Sequence, residues 1–442
     1  IEYSNIQNGL DVVADSVGVI NWGAAKIDVD PRFASVIEGE EDYHLLASSL
    51  CINAGHPDST DSDGTQLDMG AFPYLTDNVT PDWYVETGGS DITGTGTFEN
   101  PFSSIQAGLN FATENDIVNV GSGTYEENII WPILRNGIDL IGTGVNNSII
   151  DGGGNGAVID IHNHAGELVP GLIDSETLIS GFTIQNGNNS AWGGGIHLVH
   201  ASPMLTDLDI RDNTAGNGGG ISLYFCEPTI IEDVVIRDNI SLGEGGGIYH
   251  IYGYSILSNV MISGNSAESR GGGIVYEASY ADPLSIMQTV ITDNSALISG
   301  GGIFFNHATP VNLDQVTISN NTAPEGAGMQ VNNKSNVIIS NSIVADNIGE
   351  SEIVLIKDDQ STDILTTLDV SYCNISGGLE AIPIEDNCEI YWGDGNIDVD
   401  PRFVSVIQDE DEEDYHLLAS SLCINSGHPD STDSDGTRLD MG

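Results

Sequence analysis

The sequence predicts an all-β fold, a parallel β-helix wound as a single solenoid of about 26 residues per coil. Three observations carry this. Glycine triplets begin at Gly193, Gly218, Gly245, Gly271 and Gly300, with a Gly326-Ala327-Gly328 variant following, at intervals of 25, 27, 26, 29 and 26 residues. Asn213, Asn239, Asn265, Asn294, Asn321 and Asn347 keep step, each closing a strand-like phrase such as LDIRDN or VTISNN. Between the markers, apolar and polar residues alternate with period two, as in LTDLDI and IEDVVI, and helical three-and-four spacing is missing.

Each unit reads as a glycine triplet, a short apolar strand, a polar turn and an alternating strand. The apolar strands begin at Ile196, Ile221, Ile248, Ile274 and Ile303. A unit of this size cannot bury its own apolar face, whereas stacking successive units in register, about 4.8 Å apart, does. Inward Ile, Val and Leu then form ladders, and aligned Asn side chains bond one another along the axis. The triplets belong where the backbone turns sharply or takes positive φ.

The 442 residues are 39% hydrophobic, enough for a sizeable core. Sixty-six Asp and Glu face ten Lys and Arg, for a formal net charge of −56. Such a surface repels nucleic acid and anionic membranes. It suits a medium rich in salt or divalent cations, or serves plain solubility. Nothing in the sequence reaches 18 consecutive apolar residues, so no membrane insertion is expected. The chain starts at Ile1 without Met or signal peptide and stops at Gly442 inside a motif seen earlier, as expected of an internal or processed piece.

That motif is a second, longer repeat. IDVDPRFASVI, DYHLLASSLCINAGHPDSTDSDGT and LDMG recur almost unchanged, with Asp68 mapping onto Asp440 over a period of 372 residues. The expected layout is a terminal cap of a preceding module at 1–75, an N-terminal capping segment and first coil at 82–130, coils at 131–375, and a second cap at 376–442 repeating 10–70. Cys51 and Cys423 occupy the same place in the two caps and read as small buried apolar residues. Cys373 and Cys388 align with Ser4 and Val19 of the first copy, both lost together, as expected of a disulfide formed in an oxidising compartment.

The segment DWYVETGGSDITGTGTFENPFSSIQAGLNFATENDIVNVGSGTYEENI at 82–129 resembles the N-terminal part of right-handed parallel β-helix proteins of the pectate-lyase-like superfamily. The resemblance implies a right-handed helix with a short capping helix at Ile105–Leu109 and a first strand at Ile117–Val120. The GGGI coils at 193–328 resemble polymorphic outer-membrane-protein repeats, and the cap resembles the terminal segment of secreted bacterial β-helix proteins. Fold and secretion follow from these likenesses more readily than activity, because this fold hosts enzymes, adhesins and filaments alike.

The superfamily includes polysaccharide lyases and glycoside hydrolases. Asp207, Asp209, Asp233, Asp293 and Asp314 offer carboxylates for such a site, and Arg211, Arg237, Arg270 and Lys334 are the scarce basic partners. These residues recur from coil to coil whereas a catalytic site is local, so the expectation is no catalytic residue and no enzyme, with lyase or hydrolase activity as the alternative. The loop Asp58, Asp61, Asp63, Gly64, with Asp68 beyond, and its copy Asp430, Asp433, Asp435, Gly436, Asp440 form the candidate metal site. Hard Ca²⁺ takes six to eight oxygens, and an Asp-x-Asp-Gly loop resembling thrombospondin-type and EF-hand loops supplies some of them; an Asx-capped turn is the other reading.

His162 and His164 stand two apart, as metal ligands or as surface histidines. Tyr249, Tyr252, Tyr254, Tyr276 and Tyr280 cluster over two coils, for sugar stacking or for packing. The acidic runs 38–42 and 409–414 read as solvated loops. The functional expectation is a secreted, cell-surface or extracellular structural or adhesive tandem-repeat module, assembling head-to-tail into a stalk or filament. A carbohydrate-binding adhesin is the alternative. The expected partners are copies of itself or neighbouring modules, with surface glycans possible and no nucleic acid.

Overall fold

A computed structural model describes residues 2–7, 26–37, 41–75, 81–132, 135–162, 173–278, 283–357, 365–405 and 414–442. His164, Tyr280 and most of the two acidic runs lie outside them. The chain winds into a right-handed parallel solenoid of about 13 turns, with very little helix. Among the described residues no helix is long and apolar enough to cross a membrane.

The wall that follows the glycine triplets runs Ile159–His162, Ile196–Val199, Ile221 onward, Ile248 onward, Ile274–Glu277, Ile303–Asn306, Met329–Asn332 and Ile353–Ile356, each paired parallel with the next. Its register stacks Ile159, Ile196, Ile221, Ile248, Ile274 and Ile303 inward, all at most 2% exposed. A buried methyl ladder of this kind is the main hydrophobic support of each coil, at about 25 cal/mol per Å² removed from water.

The long alternating phrases behave differently from a single pleated strand. Asp207, Asp233, Asn259, Gln288, Gln315 and Asn341 all take φ between 48° and 57° at the same place in their coils. The left-handed residue bends each phrase into two strands, so that Leu205 and Leu208, three apart, both point into the core. Strict alternation would have placed one of them in water. The first glycine of each triplet is likewise left-handed, with φ of 62–67° from Gly193 to Gly300. The second packs so closely that a Cβ on Gly219 would stand 2.5 Å from the carbonyl oxygen of Gly246 in the next coil.

The asparagines close the third corner. Asn213, Asn239, Asn265, Asn294 and Asn321 each donate from Nδ2 to Oδ1 of the next, at 2.9–3.0 Å. Each also donates from its backbone N to that same Oδ1, at 2.9–3.1 Å. Asn347 ends the row by donating to Glu352 Oε2 at 2.6 Å.

The expected capping helix is present as Ile105–Phe111, wholly buried over the open end of the first coil. Ser104 Oγ accepts from the Ala107 N–H, and the Glu127 carboxylate accepts from the N–H groups of Ile105 and Gln106 at 2.7 and 3.1 Å. A Cβ on Gly108 would sit 2.7 Å from Val118 Cγ1, so glycine lets the helix approach the coil.

The expected disulfide is corrected. All five cysteines are free and buried. Cys388 lies level with Thr366 across the strand pair, and about 16 Å of strand separates that level from Ser371, two residues before Cys373. A disulfide requires Cα atoms within about 7 Å. Cys51 and Cys423 are buried apolar fillers, as their place in the repeat suggested.

One inward position breaks the apolar pattern. His250 stands between Leu223 and Tyr276 in the core ladder, with its Nδ1 3.3 Å from Ser255 Oγ. Burial pushes the imidazole down to about 3 from its usual 6.5. Unfolding therefore takes up a proton between those values, and stability falls as pH drops through that window. A His250→Leu variant, repeating Leu223, should lose this acid-side decline. Its advantage over the parent in urea unfolding should widen by on the order of 3 kcal/mol between about pH 7 and pH 4. A pH-independent difference would contradict the assignment. Asn265→Ala deletes four buried hydrogen bonds, with Asn239 N and Nδ2, Ile236 O and Asn294 Oδ1. Urea unfolding should show a loss of about 3–5 kcal/mol, and a smaller one for Asn347→Ala at the end of the row.

Candidate functional site

The two cap copies fold alike. Phe33 and Tyr43 meet edge to face at 5.3 Å, as Phe403 and Tyr415 do at 5.2 Å. Asp68 Oδ1 accepts from Asn53 N at 2.7 Å, and Asp440 Oδ1 from Asn425 N at 2.6 Å. The remaining loop carboxylates serve the backbone in the same way. Asp61 Oδ2 accepts from Asp68 N, Asp433 Oδ2 from Asp440 N, and Asp63 and Asp435 each hold a Thr N–H and hydroxyl two residues on. Asp58 and Asp430 donate their backbone N–H to the ring Nδ1 of His56 and His428. Burial pushes the Asp68 carboxyl up to about 6 despite its two backbone donors. The carboxylates of Asp61, Asp63, Asp68 and their copies thus meet backbone donors, and no three cap carboxylates are among the described groups that converge on one another.

The copies differ in what they touch. The second lies against the outer wall of the coils. Phe403, Cys423 and Met441 pack on Ile343 and Ala345, while His428 N and Gly442 N donate to Oδ1 and O of Asn341 at 2.7 and 2.8 Å. The first lies against the capping helix. Asn110 Nδ2 donates to the carbonyls of Ala47 and Ser49 at 2.9 and 2.8 Å, and Asn53 Nδ2 donates to Asn110 O at 3.1 Å. Ala47 and Ile52 are buried there, whereas their counterparts Ala419 and Ile424 are exposed and half-buried. Leu418 and Leu422, on that same face of the second copy, are 43% and 65% exposed. Conversely, Phe33, Cys51, His56, Leu67, Met69 and Gly70 line a cavity of about 710 Å³. The matching residues of the second copy are filled by the coil wall.

The carboxylates and cations weighed for catalysis are tied up locally. Arg237 holds Asp209 in a bidentate pair at 3.1 and 2.9 Å, with Arg211 Nε 3.6 Å from the same carboxylate. Asp207 and Asp233 are the left-handed bends themselves. Asp314 accepts from Ser340 and Asn341, Asp293 Oδ2 from Tyr415 OH, and Arg270 pairs with Glu244.

Sequence reading missed a different surface. His200, Phe225 and Tyr252 share one coil position and all take left-handed φ of 52–56°. Asn333 occupies that position three coils on. The backbone there suits Asn, so bulky rings held in it cost about 1–2 kcal/mol each. His200 stacks on Phe225 at 5.1 Å and 10°, and Phe225 meets Tyr252 at 4.8 Å. Trp192 stacks on Tyr224 at 5.7 Å, and Tyr224 meets Phe225 edge-on. Trp192 and Phe225 are 38% and 40% exposed. Of the tyrosines singled out earlier, Tyr252 joins this surface, and Tyr276 faces the core and donates to Gly253 O.

Trp192 also reaches His197, which sits beside Asp160 and His162. Among the described residues this is the group of acidic, His and Cys side chains whose donor atoms all come within 4.8 Å of one another. Burial works to raise the Asp160 carboxyl, but the polar contacts and charges of His162 and His197 outweigh it and hold the group well below the ordinary carboxylate range. Of the three, the sequence offered His162, weighed with His164 as a metal-ligand pair; His197 was signalled by the alignment of VIDIH with GIHLV, hidden by an interval of 37 residues between Ile159 and Ile196 instead of about 26.

No protein-family model and no curated protein matches the chain. The GGGI coils therefore have no family match behind their resemblance to outer-membrane repeats. Two solved chains are similar to it. One, described as the complex structure of XylC with xylose, is 11% identical over 75% of this chain and 88% of that chain, with TM-score 0.35. The other, the crystal structure of Escherichia coli YbhC, is 13% identical over 75% and 80%, with TM-score 0.28. The expectation that the chain is not an enzyme is corrected on this finding and is withdrawn. At these TM-scores no activity passes from those proteins to this one.

Proposed function

We propose that the chain works as a unit of a modular extracellular rod, structural and adhesive in duty, in which the cap segment couples one β-helix module to the next. The observation that carries this is the two-sidedness of the cap. One face fits the outer wall of the coils before it, as the second copy does on Asn341, Ile343 and Ala345. The opposite face fits a capping helix after it, as the first copy does on Asn110. The second copy leaves Leu418 and Leu422 exposed where the first meets the helix, and the first keeps a 710 Å³ cavity where the second meets the coils; we read the cavity as a seat for coil wall and the Leu418–Leu422 face as a seat for a capping helix. A second chain cannot supply that helix without displacing its own first cap. The partner is therefore a neighbouring module of a continuous polypeptide. Burial of all five cysteines as thiols leaves localisation to the acidic surface and the fold, and both suit the outside of a cell. Calcium at the cap loops would require Asp61 and Asp63 to exchange their present backbone contacts for the ion.

A chain lengthened by one more 372-residue period should appear in negative-stain micrographs as a straight rod, longer by roughly 60 Å for about 13 coils at 4.8 Å. Asn110→Ala should speed amide exchange in 43–69 while leaving the asparagine corner protected. Two beads joined at variable angles, or unchanged exchange in the variant, would sink the adaptor reading.

The strained rings favour a second reading on the same rod, an adhesive surface for glycans. Aromatic faces presented to water across successive coils suit the apolar faces of sugar rings, and the net charge favours neutral over acidic glycans. In gels containing neutral polysaccharides, retardation of the parent chain should vanish in Phe225→Ala combined with Tyr252→Ala. Equal mobility of parent and variant in every gel would rule the surface out.

A further inference from the structure

The Asp160, His162 and His197 group is built by the solenoid register. Asp160 and His162 lie two apart on one strand, so both side chains leave the same outer face. The next coil sets His197 directly abreast of Asp160. Asp160 Oδ1 is 3.1 Å from His162 Nδ1 and 3.2 Å from His197 Nδ1. The two imidazoles stand almost at right angles, 85° at a centroid distance of 4.7 Å. Two further facts set this apart from an ordinary surface cluster. Asp160 Oδ1 is buried and accepts no hydrogen bond of good geometry among the described residues, despite its two near nitrogens. His197, only 6% exposed, keeps its Nε2 buried and likewise without a partner among them.

A buried carboxylate oxygen left this way is costly, and a cation bound at Asp160 Oδ1 would relieve that cost. Oxygen and nitrogen donors about 2.0–2.2 Å from a first-row metal lie about 2.8–3.6 Å apart when adjacent, the range spanned by octahedral and tetrahedral edges. Both carboxylate–imidazole distances fall inside that range. Two imidazoles with one carboxylate suit a borderline divalent transition ion over Ca²⁺ or Mg²⁺, which prefer all-oxygen shells. We propose that Asp160, His162 and His197 bind one divalent transition-metal ion of the Zn²⁺ type. Three protein ligands leave at least one coordination position open, and the side chains of Asp160 and His162, 32% and 30% exposed, give water or an exogenous ligand access to it.

The site abuts the aromatic surface, because Trp192 lies 6.2 Å from the His197 ring and stacks on Tyr224. A paramagnetic ion at the triad should therefore quench Trp192, one of five tryptophans.

Chelator-treated protein would be titrated with Zn²⁺ by calorimetry, and with Co²⁺ by absorbance and tryptophan fluorescence. One tight equivalent, Co²⁺ ligand-field bands and partial quenching are expected. His197→Ser places at that position the residue that Ser222 already provides in the next coil, so the coil should fold, as unchanged thermal unfolding without metal would show. His162→Ala alters a partly exposed side chain and serves as a second test. Both should lose the one-equivalent step. The double variant His44→Ala, His416→Ala removes the exposed His–Asp pairs of the caps and should keep it. A step that persists in both triad variants, a step lost in the cap variant, or no uptake by the parent chain would overturn the proposal.

Discussion

From Asn213 to Asn347 each coil turns a corner where backbone N–H and C=O groups are buried, and the asparagine row is what satisfies them. One side-chain amide supplies a donor and an acceptor that mimic a peptide group. Asn239 Oδ1 takes both the backbone and side-chain N–H of Asn213, and Asn239 Nδ2 reaches back to Ile210 O. Six such residues stacked at the coil repeat fix where the turn begins in the coils from Asn213 to Asn347. Length variation is therefore pushed elsewhere. The long interval between Asn265 and Asn294 is taken up between the strands Ile274–Glu277 and Leu284–Thr292, away from the corner.

With register fixed, the outer face becomes a place where residues distant in sequence meet at a fixed separation. Asp160 and His197 are neighbours because their strands are, and His200, Phe225 and Tyr252 line up for the same reason. The inner face carries the stability, so the outer positions are free to hold rings in strained backbone conformations and donors without partners.

The caps show one sequence solving two packing problems. Internal contacts such as Asn53 N to Asp68 and Asn425 N to Asp440 make the cap a unit that keeps its shape in both settings. Its coil-facing side buries Cys423 and Met441, and its helix-facing side buries Ala47 and Ile52.

The sequence by itself determined the coil. Glycines at left-handed turns, isoleucines facing inward and asparagines at a buried corner are local requirements that repeat with the chain, so their period was legible. The capping helix was readable from its likeness to known β-helix openings. The disulfide was misread, because alignment of two copies says nothing of how far apart two strand positions lie. The bend at Asp207 and its equivalents escaped notice, since a polar residue in a strand phrase does not reveal its φ. The Asp160, His162 and His197 group and the two faces of the cap were decided only by tertiary structure. They depend on which coil lies beside which, and on what packs over a surface, and neither is a property of any local stretch of residues.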